Sequence, residues 1–336
     1  MKAITLRGFG DPDVLEWRDV PDPRAGYGEV VLEIAAAGVN RADLLQRRGR
    51  YPPPPGASDI LGLECAGRVI EVGPGVGSTR IGEEVCALLP GGGYAERVAV
   101  PVELLLPRPS RLSWVEAAAL PEAACTVWSM VFMAAGARRG QRLLVHGGAS
   151  GIGTFAVQLA VAMGLRVAAT AGSAAKCERV RELGAELVVN YRDDDFVAAI
   201  EKWTAGGGVD VVLDIVGATY LQRNLAVLAD DGHLVVIATQ GGRRGELDLG
   251  MLMARRGWIH AAGLRSRPLQ QKAEIIAQVR EHVWPLVDGG AIRPVIEAAV
   301  PMEDAAYAHR ILEAGTHVGK VILLTPWGQS ALAGHA

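Results

Sequence analysis

Cysteine is scarce in this chain: Cys65, Cys86, Cys125 and Cys177 lie far apart, with no C-x-x-C spacing. That pattern excludes a zinc ribbon, whose paired thiolates close on one metal, and argues against a disulfide framework. A charge excess of either sign is also missing. With 34 basic and 37 acidic residues and a net charge of −3, no global field draws nucleic acid or an anionic membrane. An export leader is not indicated, because Arg7 arrives before an apolar run of that length develops. The longest stretch free of Asp, Glu, Lys and Arg, Leu143 to Leu165, is long enough to cross a bilayer. It carries Gly147, Gly148, Gly151, Gly153 and Gly164 with His146 and Ser150, so it reads as a strand, a turn and a helix of a soluble core. Unpaired cysteines and the lack of a leader make the cytoplasm the expected compartment.

Glycine is abundant instead, 42 of 336 residues, or one in eight, with 18 Pro. With 50% hydrophobic and 21% charged residues the chain is not generally disordered, so the glycines belong to defined turns. At about 150 residues per domain the length implies about two domains. Residues 28 to 120 carry short β-type runs, Glu29 to Ile34, Gly67 to Val72, Glu84 to Leu89 and Tyr94 to Val100, broken by Gly and Pro. They suggest a small antiparallel barrel or sandwich. From about residue 122 strand-sized runs alternate with helical stretches. The strands expected are Arg142 to His146, Arg166 to Ala171, Leu187 to Asn190, Val209 to Ile215, His233 to Ala238 and Trp258 to Gly263, the grammar of a doubly wound parallel sheet of the Rossmann type in an α/β fold. A tail follows, with a helix from Gln270 to Leu286, a strand from Arg293 to Ala299, a helix from Met302 to Ala314 and a strand from Lys320 to Leu324. This tail is free to fold back on the first domain, and the residues after Pro326 read as a frayed end.

The run Leu143 to His146 leads into Gly147-Gly148-Ala149-Ser150-Gly151-Ile152-Gly153 and then a helical stretch. Glycines there allow a tight turn, backbone N–H groups close to a pyrophosphate, and a helix packed against the strand, with the positive end of the helix toward the phosphate. The spacing is G-x-x-G-x-G at 148, 151 and 153, so the placement between strand and helix carries the reading. An acid that would bind the ribose 2′-hydroxyl is missing at the end of the second strand, where Ala171, Gly172, Ser173 and Lys176 stand. A small polar turn and a cation suit a 2′-phosphate, with Tyr191 placed to lie beside it, and NADPH is the expected cofactor.

Together these segments, with Asn40 to Ser58 (Asn40-Arg41-Ala42-Asp43 through Tyr51-Pro52-Pro53-Pro54-Pro55), Gly62-Leu63-Glu64, Leu88 to Gly93, Thr170 to Ser173 and Leu264-Arg265-Ser266-Arg267, resemble the medium-chain dehydrogenase/reductase superfamily over nearly the whole chain. Within it the sequence is similar to the NADPH:quinone oxidoreductase branch, of the tumour-suppressor-inducible type. The resemblance implies a GroES-like catalytic domain from residues 1–121 and 268–336 and a Rossmann domain over 122–267. Zinc-dependent members hold a cysteine ligand where Asn40 stands and a histidine where Leu63 stands, so the resemblance implies a metal-free site. Without a Lewis acid, hydride transfer to an already electrophilic quinone or α,β-unsaturated carbonyl is chemically easier than alcohol oxidation.

By resemblance Asn40, Tyr51 and Thr126 face the nicotinamide and the acceptor in a cleft between the domains. The bland alternatives are an Asx turn at Asn40 and a tyrosine packed on prolines at Tyr51. The cofactor would be lined by Gly148, Ser150, Gly151, Ile152, Gly153, Gly172, Ser173, Lys176 and Tyr191, and by the strand-end residues Val216, Gly217, Thr239, Gln240, Leu264 and Arg265. Asp43 reads as a local acceptor, and Arg41, Arg47, Arg48 and Arg50 as a solvated face. The function expected is flavin-free reduction of a quinone by NADPH. The alternatives are reduction of an enal or enone, or a non-enzymatic NADPH-binding protein of crystallin or RNA-binding kind, which the balanced charge disfavours. A homodimer or tetramer is expected, with a small-molecule substrate and neither nucleic acid nor membrane as partner.

Overall fold

The structure is a computed structural model that describes residues 1–333. Its first part runs β1 (Lys2–Leu6), β2 (Leu15–Asp19), β3 (Glu29–Val39), α1 (Arg41–Arg47), β4 (Glu64–Val72), β5 (Glu84–Leu88), β6 (Arg97–Pro101), β7 (Leu105–Pro107), α2 (Trp114–Ala117) and α3 (Pro121–Val127). Alternating elements follow: β8 (Arg142–Val145), α4 (Gly151–Ala162), β9 (Arg166–Ala171), α5 (Ala174–Glu182), β10 (Leu187–Asn190), α6 (Phe196–Thr204), β11 (Val209–Asp214), α7 (Leu221–Val227), β12 (Leu228–Val236), α8 (Leu249–Ala254) and β13 (Trp258–Ala261). The chain closes with α9 (Leu269–Gln278), α10 (Trp284–Asp288), β14 (Ile296–Pro301), α11 (Ala305–Ala314), β15 (Lys320–Leu324) and α12 (Pro326–Ala333). These elements form two compact units, Met1–Ala123 with Leu264–Gly289 and Pro294–Ala336, and Ala124–Gly263 with Gly290–Arg293.

The first unit holds a seven-stranded sheet in the order β14-β15-β3-β4-β5-β7, with β6 also on β3 and a separate β1-β2 pair. The eleven residues of β3 are nearly all buried, as befits a strand flanked on both sides and covered on both faces. Every pairing is antiparallel except β14 with β15. Thus the return segment does fold back onto the first unit, through β15 on β3.

Two expectations for the tail are corrected. Residues 326–333 are not frayed but form α12, because the Thr325 hydroxyl accepts from Gly328 N at 3.1 Å and the Thr325 carbonyl from Gln329 N at 3.0 Å; the frayed end expected over 334–336 lies outside the described residues. Trp327 adds a tilted ring contact with Trp114 at 5.5 Å. The single helix expected over 270–286 is interrupted at Val279–Val283 by a π turn ahead of Pro285, whose missing N–H breaks the i→i+4 ladder.

The second unit holds a parallel sheet in the order β10-β9-β8-β11-β12-β13, the doubly wound order with its reversal between β8 and β11. Leu144, Phe196, Ile200, Val212, Leu225 and Leu234 pack beneath it as one core. β9 and β10 have the expected bounds. β12 begins at Leu228 rather than His233, taking in Asp230-Asp231-Gly232, where Asp231 adopts a positive φ of 60°. The charge-free run from 143 to 165 is a strand, a turn and a helix, as expected. The helical stretch Trp114–Ala134 is long and apolar enough to span a membrane, and 72% of its most apolar window is buried inside the protein, as in a core helix.

Candidate active site

In the second unit the turn after β8 is built for an anion. Ser150 caps α4, its hydroxyl accepting from Gly153 N at 3.0 Å, and Gly148 N donates to Thr170 O at 2.8 Å, tying the turn to β9. The N–H groups of Gly151 and Ile152, in the first turn of α4, have no acceptor among the described residues. At Gly153 a Cβ would lie 2.2 Å from Gly147 O, so glycine is what lets the helix start against the turn. At Gly172 a Cβ would lie 2.5 Å from the hydroxyl of Tyr191, so the tyrosine covers that backbone. Ser173 caps α5, accepting from Lys176 N at 3.3 Å, and residues 168–176 carry no carboxylate. Free amides at a helix start, followed by an acid-free polar turn, fit a dinucleotide bearing a 2′-phosphate.

At the ends of β11 and β12 the loops are knit together. The Asp214 carboxylate accepts from Val216 N at 2.6 Å and Gly217 N at 3.0 Å, while Gln240 N donates to Ile215 O at 3.1 Å and Gly241 N to Val216 O at 2.7 Å. Burial raises the Asp214 carboxyl above its usual range. Thr239 therefore stands in the same loop cluster as Val216 and Gly217. Thr126, half-buried in α3, is also part of this unit, its carbonyl accepting from the Ser129 hydroxyl at 3.2 Å.

Behind the phosphate turn sits His146, which the sequence marks only as the end of a strand. Its Nε2 donates to Asn224 Oδ1 at 2.7 Å, and Nδ1 accepts from the Thr170 hydroxyl at 3.1 Å. Burial pushes its pKa down to about 4, below the ordinary 6.5. Between these values the unfolded chain takes up a proton that the folded ring refuses, so stability from this group, complete above pH 6.5, falls as pH drops. His146→Gln should flatten the decline between pH 6.5 and 4 by about 1.4 kcal/mol per pH unit. Urea unfolding at pH 6.5 and 4.5 measures this, and equal slopes in both proteins would refute it.

The first unit contains a buried polar network. Asn40 stands between β3 and α1, its N–H donating to Asp43 Oδ2 at 2.8 Å. The Asn40 amide donates to Glu64 Oε1 at 2.8 Å, and its oxygen accepts from Lys320 Nζ at 2.7 Å. Lys320 pairs directly with Glu64, both buried, and Glu64 Oε2 accepts from Glu122 N at 2.9 Å. Asp43 is a local acceptor, as expected, taking Gly62 N at 3.1 Å and the Tyr94 hydroxyl at 3.1 Å. Burial lifts its carboxyl to about 6 against these bonds. His309 joins Tyr94 at 3.2 Å and Arg47 at 3.0 Å. A guanidinium only donates, so His309 Nδ1 is the acceptor and Nε2 carries the proton toward Tyr94. The expected solvated arginine face is corrected at Arg47, which is fully buried on Gly10 O, His309 and Glu313; Arg41 and Arg50 are exposed and Arg48 is half-buried on Glu313.

Tyr51 and Arg265 come together in this unit. The Arg265 guanidinium lies over the Tyr51 ring at 5.3 Å and donates to Tyr51 O at 3.3 Å, Pro90 O at 2.6 Å and Gln46 Oε1 at 2.8 Å, with Leu264 buried beside it in sequence. Burial, helped by the nearby Glu122 charge, raises the Tyr51 phenol, which therefore stays protonated at neutral pH. Glu122 itself is pushed up to about 8 by burial and then by Glu64. Glu64, Glu122 and Lys320 were missed as site residues, although each is a lone charge in an otherwise apolar run, a signal that was available. All four cysteines are buried, and none is in a disulfide. Among the described residues no three His, Cys, Asp or Glu side chains are grouped to hold a metal.

Comparison with known proteins joins these two units into one class. Residues 26–110 match the alcohol dehydrogenase GroES-like domain, and residues 151–277 match the family described as zinc-binding dehydrogenase, the pair that defines a medium-chain dehydrogenase/reductase. Quinone oxidoreductase of Rattus norvegicus is 32% identical over 330 residues, covering 96% of this chain and 98% of the relative. The chain belongs to the quinone oxidoreductase branch of that superfamily. Escherichia coli quinone oxidoreductase complexed with NADPH superposes with a TM-score of 0.85 at 28% identity, over 96% of this chain and 100% of the other. CurK enoyl reductase gives 0.84 at 30% identity, over 97% and 99%. One component of the phenolphthiocerol/phthiocerol polyketide synthase of Mycobacterium tuberculosis is 30% identical over 94% of this chain, which spans 14% of that much longer relative.

Proposed function

We propose that this chain is an NADPH-dependent quinone reductase working without flavin or metal. The observation that carries the reading is the dinucleotide cradle, with two acceptor-less amides at Gly151 and Ile152 and no carboxylate between residues 168 and 176. Gly148, Ser150 and Gly153 shape its phosphate end, Gly172, Ser173, Lys176 and Tyr191 its ribose end, and Val216, Gly217, Thr239, Gln240, Leu264 and Arg265 complete the cofactor set. The NADPH-bound structure of the E. coli relative supports the cofactor, and the two quinone oxidoreductase relatives support the acceptor. NADPH, when bound, supplies the hydride. The protein's part is to orient, to exclude water and to answer charge growing on the acceptor oxygen.

Asn40, Tyr51 and Thr126 take the catalytic roles. The raised phenol of Tyr51 keeps its proton at neutral pH and donates it as a hydrogen bond to the developing oxyanion. The Lys320 ammonium, held on the Asn40 amide oxygen, neutralises the Glu64 carboxylate beside Asn40, which supports a metal-free site. Tyr51→Phe should lower kcat about 100-fold with NADPH affinity unchanged, read by steady-state rates beside a fluorescence titration; full retention of kcat would remove Tyr51 from the chemistry. Residues 1–121 with 268–336 act as the catalytic domain and 122–267 as the dinucleotide domain. The exposed edge strand β13, with Trp258 and Ile259 uncovered, supports a homodimer, and the cytoplasm remains the proposed compartment.

A second reading, reduction of an enal or enone, is favoured by Glu122, a carboxyl pushed up to about 8 and so able to supply the proton that a carbon acceptor needs. The likeness to CurK enoyl reductase supports it too. NADPH oxidation measured with naphthoquinones, o-quinones and alkenals separates the two. Quinone turnover well above alkenal turnover is expected, and the reverse order would hand the site to the second reading.

A further inference from the structure

A cavity of about 580 Å³ opens in the first unit, lined by the 54–60 loop, the Pro90–Gly92 turn, β6 and the start of α9. Arg97, Arg265, Arg267 and Lys272 line it against a single acid, Glu29. Arg97 is already answered by Asp22. The Arg265 guanidinium is 4% exposed and its bonds end on three neutral oxygens, those of Pro90, Tyr51 and Gln46. Lys272, on α9, is 8% exposed, and its ammonium makes no hydrogen bond or ion pair among the described residues. Burial lowers its pKa, and the carboxyl that faces it electrostatically, Glu122, is itself raised by burial. Two largely buried cations, neither of them hydrogen-bonded to a carboxylate, are costly unless an anion completes them. The lining also includes the apolar Pro54, Pro55, Ile60 and Val98, and the volume falls within the range of small-molecule sites.

We propose that this cavity binds a small organic anion, its carboxylate or phosphate head on Lys272 and Arg265 and its apolar body along Pro54, Pro55, Ile60 and Val98. The site lies within the first unit and shares Arg265 with the proposed cofactor set, so Lys272, which is outside that set, carries the test. The test titrates benzoate and phenyl phosphate into the full chain at constant ionic strength, by calorimetry, with wild type, Lys272→Met and Lys272→Arg. Saturable binding of at least one probe at one site per chain is expected, weakened about tenfold or more in Lys272→Met and largely kept in Lys272→Arg. The preferred probe tells which head the site takes, and NADPH affinity should be unchanged in Lys272→Met. Acylation of Lys272 by an amine-reactive reagent, followed by mass spectrometry on the wild-type chain, should be slowed by the bound probe. No saturable binding, equal binding by Lys272→Met, or no protection of Lys272 would each overturn the proposal.

Discussion

Replacing Lys320 by methionine is expected to cost about 3–5 kcal/mol of folding stability. Glu64 is fully buried, and among the described residues Lys320 is its one cationic partner, the other donors being the Asn40 amide and Glu122 N. Methionine fills the lysine stem but leaves a carboxylate in the core with neutral donors alone. The loss should be largely recovered by Lys320→Met with Glu64→Gln, because the double variant removes the orphaned charge along with its partner. Urea unfolding at pH 7 of wild type, both single variants and the double variant closes the cycle. A Lys320→Met cost below about 1 kcal/mol would mean that the pair is not the electrostatic centre of this unit.

Gly153→Ala should weaken NADPH binding about 100-fold, through displacement of the turn rather than loss of a contact. The added Cβ would sit 2.2 Å from Gly147 O and 2.7 Å from Gly148 Cα, so backbone must move. That movement separates the amides of Gly151 and Ile152 from the turn that faces the phosphate. Fluorescence titration with NADPH gives the affinity, and circular dichroism verifies that the variant is folded. Unchanged affinity in a folded variant would show that the pyrophosphate does not lie on this turn.

The second unit was the more legible of the two in sequence. Its strands are local apolar runs bounded by glycine, so Arg166–Ala171 and Leu187–Asn190 could be read to the residue. β12 was misread at its start because Asp230-Asp231-Gly232 has the composition of a loop, and its place in a strand depends on pairing with β11 and β13. α12 was missed because its capping group, Thr325, ends an apolar strand and gives no hint that the chain turns straight into a helix. The network of the first unit was hidden for a different reason. Glu64 meets Lys320 across 256 positions and Arg47 meets His309 across 262, distances over which local periodicity carries nothing. Asn40 was picked out by its place in a motif, but its partners were visible only once β15 lay beside β3. A basic run such as Arg47-Arg48 looks solvated until α11 is packed over one member of it.

The most direct test is the steady-state kcat/KM for NADPH and for NADH with a naphthoquinone, on flavin-free protein. The acid-free cradle predicts turnover without added flavin and a preference for NADPH of about tenfold or more, the worth of charge-assisted bonds to a 2′-phosphate. No oxidation of NADPH by the quinone, or equal use of NADH, would contradict it.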